Sequence, residues 1–437
     1  MYSFLDLQTF EKYVIERNAK EEKIYILSKY FPKISNGGTF LSRISIFDMD
    51  RGTVKQDKNK VQKILQILMS SLPSNIKKIK LDNELKVTEN EKRAIGCMLG
   101  MAIGDAMGAR YEFLPVRYNK IDLTNMGKGP GGKFSLFPGQ WTDDTSMGLC
   151  LADSLLMKNG VFNPKDLMHR FIAWFQGGYN NAFRFNLENG LKPRHSVGLG
   201  GNISLSFSDY IYFYNNNLEL PNETLAGDEN TSGNGSIMRN AAIPICFHNN
   251  ITLALENAKK QSLVTHKGTE ARDCCSLLTY IIVKIFEGRK LKEEILENLD
   301  KFEAKDKRVE YLAKHLKEGN NDDRNWNWKI KDQYKYSPFR EKKSKGYIGS
   351  YAMDAMAMSL NIIYNTGNFK DAIIKAVNLR GDSDTVASVV GQIAGAYYPL
   401  EDIPNDWIKE IYRWDQGEIA LRGYMLSRLL KRDSYII

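Results

Sequence analysis

This sequence predicts an all-α fold with a small mixed N-terminal extension, and three observations carry that prediction. From Glu91 onward apolar residues recur at helical spacing, and alternating β-branched runs are scarce. The texture also changes at a polar, lysine-rich stretch over Pro73–Asn90. The chain therefore divides into an extension, residues 1–88, which reads either as a stabilising subdomain or as a partner-binding segment, and a main domain, residues 89–437. With 437 residues, 43% hydrophobic and 26% charged, it can bury a large core and has an ordinary soluble composition.

The extension reads as a helix over Leu5–Tyr30, a Pro/Gly-punctuated stretch at Pro32–Gly38, a strand-like run at Thr39–Phe47 and an amphipathic helix at Lys60–Leu72. In the main domain the periodicity predicts helices over Glu91–Met107, Thr145–Lys158, Asn163–Phe175, Leu253–Thr265 and Gly268–Phe286. It predicts three more over Ser350–Asn365, Phe369–Asn378 and Thr385–Ala396. The charged span Gly288–Gly346, with a helical stretch at Lys292–Leu316, reads as an excursion on the same domain.

The net charge of +9 is modest for this length. Residues 1–90 hold 16 lysines and arginines against 11 acidic residues, so over half of the excess lies there. No aromatic-interleaved basic run or nucleic-acid module accompanies it, and nucleic-acid binding is not expected. Cys97, Cys150, Cys246, Cys274 and Cys275 lie in apolar stretches without zinc-ligand spacing and read as buried thiols of a reducing compartment. Met1–Phe10 lacks a basic n-region, and Ala94–Ala109 is shorter than the roughly 20 residues that span a bilayer. These features predict a cytoplasmic protein with no membrane partner.

The first helix of the main domain carries Gly96, Gly100, Gly104 and Gly108 at four-residue spacing. Each interior glycine costs about 0.5–1 kcal/mol relative to alanine, so one glycine face needs a reason. Helix packing is expected at Gly96 and Gly100, and room for a ligand beside Asp105 at the C-terminal end.

Two acidic turns each precede a helix: Trp141-Thr142-Asp143-Asp144-Thr145-Ser146 and Arg380-Gly381-Asp382-Ser383-Asp384-Thr385. Helix capping alone explains one side-chain oxygen per turn. Four carboxylates brought together would repel one another strongly, and a hard divalent metal resolves that repulsion if the turns converge. A third segment, Thr231-Ser232-Gly233-Asn234-Gly235-Ser236-Ile237-Met238-Arg239, has glycines that would let backbone N–H groups approach a phosphate, with Arg239 adding charge.

These segments together resemble the ADP-ribosylglycohydrolase family, which includes the dinitrogenase reductase-activating glycohydrolase and the ADP-ribosyl-acceptor hydrolases. The resemblance rests on Gly104-Asp105-Ala106-Met107-Gly108 with Glu112, Trp141–Thr145, Gly233–Arg239, Thr265-His266, Gly346-Tyr347, and Gly381–Thr385 with Gly391–Tyr398, in family order. It implies an ADP-ribosylglycohydrolase-like helical bundle with two divalent cations, Mg²⁺ or Mn²⁺, held by Thr142, Asp143, Asp144, Asp382, Asp384 and Thr385. It further implies a substrate site at Gly233, Asn234, Gly235, Ser236, His266 and Tyr347, and a catalytic role for Glu112 or Asp144. The reaction implied is metal-dependent hydrolysis at the anomeric carbon of the distal ribose, releasing ADP-ribose from a mono-ADP-ribosylated protein.

Two departures qualify that expectation. Asn186 stands where arginine-directed members can carry an aspartate, and an amide cannot take a proton as a carboxylate does; Glu188 is a nearby substitute. Arg380 stands beside the second acidic turn, where a small residue would fit more easily. Two alternatives come from the binding class: an immunity-type protein whose residues 1–88 block an ADP-ribosyltransferase toxin, and a non-catalytic ADP-ribose binder.

Overall fold

A computed structural model describes residues 88–183, 196–288, 291–316, 323–331, 333–415 and 417–429. The elements expected in residues 1–87 lie outside the described residues, as do Asn186 and Glu188.

The first helix, α1 (Glu89–Gly108), opens on a capping box. Thr88 Oγ1 accepts from the Glu91 N–H at 3.3 Å, while the Thr88 N–H donates to Glu91 Oε2 at 2.7 Å. There follow α2 (Asp143–Met157), α3 (Pro164–Gly177), α4 (Gly201–Asn215), α5 (Ala242–Phe247), α6 (Ile251–Leu263), α7 (Thr269–Phe286), α8 (Lys292–Glu297) and α9 (Lys307–Ala313). The chain closes with α10 (Pro338–Lys343), α11 (Ala352–Tyr364), α12 (Phe369–Leu379), α13 (Ser383–Tyr397), α14 (Asn405–Asp415) and α15 (Glu418–Arg428). Among the described residues β pairing is limited to three isolated bridges. The all-α expectation holds.

The helices expected in the main domain match observed ones to within two residues, with one exception. Lys292–Leu316 is not continuous: α8 ends, a 3₁₀ turn covers Leu299–Lys301, and Phe302 turns to extended backbone before α9. Phe302 is buried, and Asp306 caps α9 through the Arg308 N–H while donating its own N–H to Asp273. Burying one aromatic and anchoring one cap outweigh the run's helical periodicity. Helices α4, α5, α10, α14 and α15 lie outside the expected set. The aromatic and β-branched residues of α4 obscure its period.

Nearly every residue of α1 from Ala94 onward is buried, so it forms the axis of the bundle. Its glycine face meets α13 with no side chains between. A methyl group on Gly96 would collide with the Gly395 carbonyl, on Gly100 with Gly391, on Gly104 with Ala387 and on Gly108 with Ser383 and Asp384. All four glycines therefore serve helix packing, which corrects the expectation of ligand space at Gly104 and Gly108. On another face Gly423 of α15 packs against the Ala94 carbonyl. The five cysteines are free and buried in this core. Among the described residues no helix is long and apolar enough to cross a membrane.

Candidate metal centre

The glycine seam sets the position of Asp105, one turn from the end of α1 and fully buried. Its carboxylate accepts four hydrogen bonds from the first acidic turn. Thr142 donates its N–H to Oδ1 at 2.9 Å and its hydroxyl at 2.8 Å; Thr145 donates its N–H to Oδ2 at 2.9 Å and its hydroxyl at 2.7 Å. Asp105 thus clamps the start of α2 to α1. Asp143 and Asp144 occupy the first turn of α2, and Asp382 and Asp384 occupy the start of α13.

The two turns converge. Carboxylate oxygens of Asp105, Asp144 and Asp384 lie within 4.8 Å of one another, and so do those of Glu112, Asp382 and Asp384. Glu112 is carried there by a segment laced to the second turn: the Phe113 N–H donates to the Gly381 carbonyl at 2.7 Å and the Gly381 N–H to the Leu114 carbonyl at 2.9 Å. Asp143 stands at the edge with its carboxylate against Gly198, where no side chain could fit. Thr142 is committed to Asp105, while Thr385 donates its N–H to Asp384 Oδ1 at 2.9 Å.

Burial and mutual repulsion make this cluster costly to ionise. Desolvation pushes Asp143, Asp144 and Asp384 well up, reinforced by neighbouring carboxylates. Asp382 is also raised by burial, against the hydrogen bonds it accepts. Asp105 is raised by burial despite its four donors. Glu112 is pushed up to about 8 by desolvation and then by Asp382. Glu112 Oε2 and Asp144 Oδ1 are buried without a hydrogen-bond partner. Orphaned oxygens in a ring of carboxylates suit hard cations.

The glycine loop borders the same centre. Gly233 bridges to Tyr351, and Asn234 Nδ2 donates to Asp382 Oδ2 and to the Gly349 carbonyl, both at 3.0 Å. The Asn234 N–H goes to the Ser350 carbonyl at 3.1 Å, so that donor is committed within the fold. Ser236 is buried beneath, accepting from the Ser262 hydroxyl at 2.8 Å. Gly235 lies against His266: a Cβ there would stand 2.8 Å from the ring Cε1. Tyr347, about half exposed, sits at the rim with its ring 5.4 Å from that of Phe113.

Arg239 is not where the sequence placed it. Its guanidinium is fully buried behind the loop, donating to Gln261 and Thr265 and lying 4.4 Å over the Phe171 ring. It cannot add charge to a phosphate there. Asp105, conversely, stands in the sequence as a motif residue beside expected ligand space, and the fold makes it a member of the carboxylate cluster. An ionisable residue inside an otherwise apolar, glycine-faced helix is the signal that marks it.

The family model for ADP-ribosylglycohydrolase matches residues 86–433. An ADP-ribosylarginine hydrolase, Tri1 of Pseudomonas putida (strain GB-1), is 30% identical over 78% of this chain and 80% of its own length. The ADP-ribosyl-[dinitrogen reductase] glycohydrolase of Rhodospirillum rubrum is 27% identical over 76% of this chain and 97% of its own length. A solved structure described as an ADP-ribosylglycohydrolase-related protein complex superposes with a TM-score of 0.58 at 28% identity, covering 78% of this chain and 99% of that one. By sequence and by fold, the chain belongs to the ADP-ribosylglycohydrolase family.

Proposed function

We propose that the chain is a divalent-metal-dependent hydrolase that removes ADP-ribose from a mono-ADP-ribosylated protein. The observation that carries this reading is the meeting of two aspartate-bearing helix N-termini beside Glu112, with buried carboxylate oxygens left unpartnered. Thr142, Asp143, Asp144, Asp382, Asp384 and Thr385 would hold two Mg²⁺ or Mn²⁺ ions, and Asp105 would support them from behind. When bound, the cations supply charge neutralisation and a Lewis-acidic seat for the ribose hydroxyls.

The chain's own groups divide the remaining work. Asn234, through its bond to Asp382, ties the position of the glycine loop to that of the carboxylates. Gly233, Asn234, Gly235, Ser236, His266 and Tyr347 would border the ADP-ribose. Glu112 is a better proton carrier than Asp144, because it is partly accessible whereas Asp144 is 1% exposed and backed by Asp105. It would take a proton from the attacking water as the C–O bond forms and pass it to the leaving nitrogen or oxygen as the bond to the anomeric carbon breaks. Arginine is the first linkage to test, because one relative is an ADP-ribosylarginine hydrolase; Asn186 makes the serine linkage the second.

Full-length protein with Mg²⁺ or Mn²⁺ should release ADP-ribose from arginine- or serine-linked protein, and chelation should abolish release. Tight ADP-ribose binding with no release from any linkage would instead identify a non-catalytic binder. Residues 1–88 we propose as a partner-docking segment, on the strength of their basic excess. Their deletion should then weaken protection against an ADP-ribosyltransferase toxin while leaving hydrolysis unchanged.

A further inference from the structure

Behind the glycine loop runs a hydrogen-bonded chain that ends at the buried ring of His266. Arg239 donates Nε–H to Gln261 Oε1 at 3.0 Å and its Nη2 group to the Gln261 carbonyl and to Thr265 Oγ1, both at 2.8 Å. Thr265 Oγ1 lies in turn 2.8 Å from His266 Nδ1. Thr265 is fully buried and His266 is 2% exposed. Gln261 also donates to the Ser236 carbonyl at 2.9 Å, which ties the same chain to the loop.

The proton positions follow from counting donors. A guanidinium only donates, so Thr265 Oγ1 must accept from Arg239. The threonine hydrogen then has one acceptor at hand, His266 Nδ1. Were Nδ1 itself protonated, the buried threonine hydrogen would have no partner, a cost of about 1–3 kcal/mol. Nδ1 is therefore an acceptor and Nε2 carries the hydrogen. Among the described residues Nε2 has no hydrogen-bond partner, and it lies 3.3 Å from where a Cβ on Gly233 would stand. Glycines at 233 and 235 put no side chain of their own against that edge of the ring. The same arrangement disfavours an imidazolium: burial and the Arg239 cation hold His266 down to about 3.

We infer that Arg239 and Thr265 are positioning residues which lock His266 as the Nε2–H tautomer, presenting a single neutral donor to an acceptor oxygen of the ligand at the Gly233–Gly235 edge. Arg239 reaches His266 through Thr265 and the glycine loop through Gln261. This inference rests on the proposed ADP-ribose site for its ligand, but the tautomer itself is independent of that reading.

The test separates the two. Long-range ¹H–¹⁵N correlation of the labelled full-length protein reports each tautomer directly, and with five histidines in the chain a His266→Gln spectrum assigns the signal. The wild type should show a neutral Nε2–H ring at pH 7. Thr265→Val should convert it to mixed tautomers and weaken calorimetric ADP-ribose affinity about threefold to tenfold, the loss of one hydrogen bond, while Thr265→Ser restores both. ADP alone serves as a second ligand: a matching loss with ADP assigns the acceptor to the diphosphate, and a loss confined to ADP-ribose assigns it to the distal ribose. An Nδ1–H or doubly protonated ring in the wild type overturns the inference, as does Thr265→Val with tautomer and affinity unchanged. Absence of ADP-ribose binding by the wild type, with the tautomer as expected, would instead count against the proposed function.

Discussion

Helices α1 and α13 meet along their whole length, yet the two ends of that contact are built on opposite principles. Toward the middle and far end, Gly96 and Gly100 face Gly391 and Gly395, backbone against backbone, with no polar side chain between. Toward the near end the same pair delivers Asp105, Asp382 and Asp384 into two carboxylate groups that share Asp384. The seam is satisfied as it stands, whereas the acidic end holds like charges and unpartnered oxygens. The close seam is what brings the carboxylates together, because helices kept apart by ordinary side chains would separate Asp105 from Asp384. Stability is stored at one end and drawn upon at the other.

The largest expected effect breaks the acidic end alone. Asp384→Asn keeps shape and removes a charge that belongs to both carboxylate groups. Turnover should fall roughly 10²- to 10⁴-fold, several kcal/mol at 1.36 per decade. In the absence of metal the variant should nonetheless melt higher than the wild type, because one repelling charge is gone. Parallel loss of activity and of metal-free stability would mean that Asp384 is a structural residue.

Next in size is a break in the seam. Gly100→Ala places a methyl group on the Gly391 carbonyl and forces the helices apart. A loss of about 1–3 kcal/mol in denaturant unfolding is expected, with metal affinity falling alongside as the carboxylates separate. Gly201→Ala is the control: it meets no atom within 4 Å and should cost nothing. An equal response at the two positions would dismiss the seam.

The acidic end also predicts a pH dependence. Its carboxylates are raised in the folded protein above their unfolded values near 4, so the native state retains protons that the unfolded chain has released. Their contribution is therefore fully present below about pH 4 and is lost as pH rises toward 8, where Glu112 titrates. The metal-free melting temperature should decline across that window, while saturating Mg²⁺ should flatten the curve and bind more tightly as pH rises. Identical slopes with and without Mg²⁺ would contradict a metal site here.

The two ends were unequally legible in the sequence. The helices and the paired acidic turns stand out because a 3.6-residue period and clustered aspartates are local patterns. The glycine spacing was equally visible, but its partner was not: the facing residues Gly391, Gly395 and Ala387 lie nearly 300 positions away, and sequence alone divided one uniform seam into packing and ligand space. Arg239 failed for the same reason. A cation beside a glycine loop suggests a phosphate contact, and only the packing of Phe171 and Gln261 around it reveals a buried strut.

The smallest effect probes whether the acidic end also holds backbone strain. Arg380 has φ 66° and ψ −148°, a region essentially reserved for glycine, directly before Gly381 and Asp382. Its side chain turns away from the carboxylates, lying 5.2 Å over the Tyr111 ring and 3.6 Å from Asp122. Those contacts are partly exposed and screened by solvent, whereas the backbone strain is about 1–3 kcal/mol. Arg380→Gly and Arg380→Ala both discard the side chain, but only glycine releases the backbone. The glycine variant should therefore be the more stable by roughly 1 kcal/mol, after its greater unfolded-state entropy is allowed for. If alanine matches or exceeds glycine, the backbone there is relaxed, and charge alone distinguishes the acidic end from the seam.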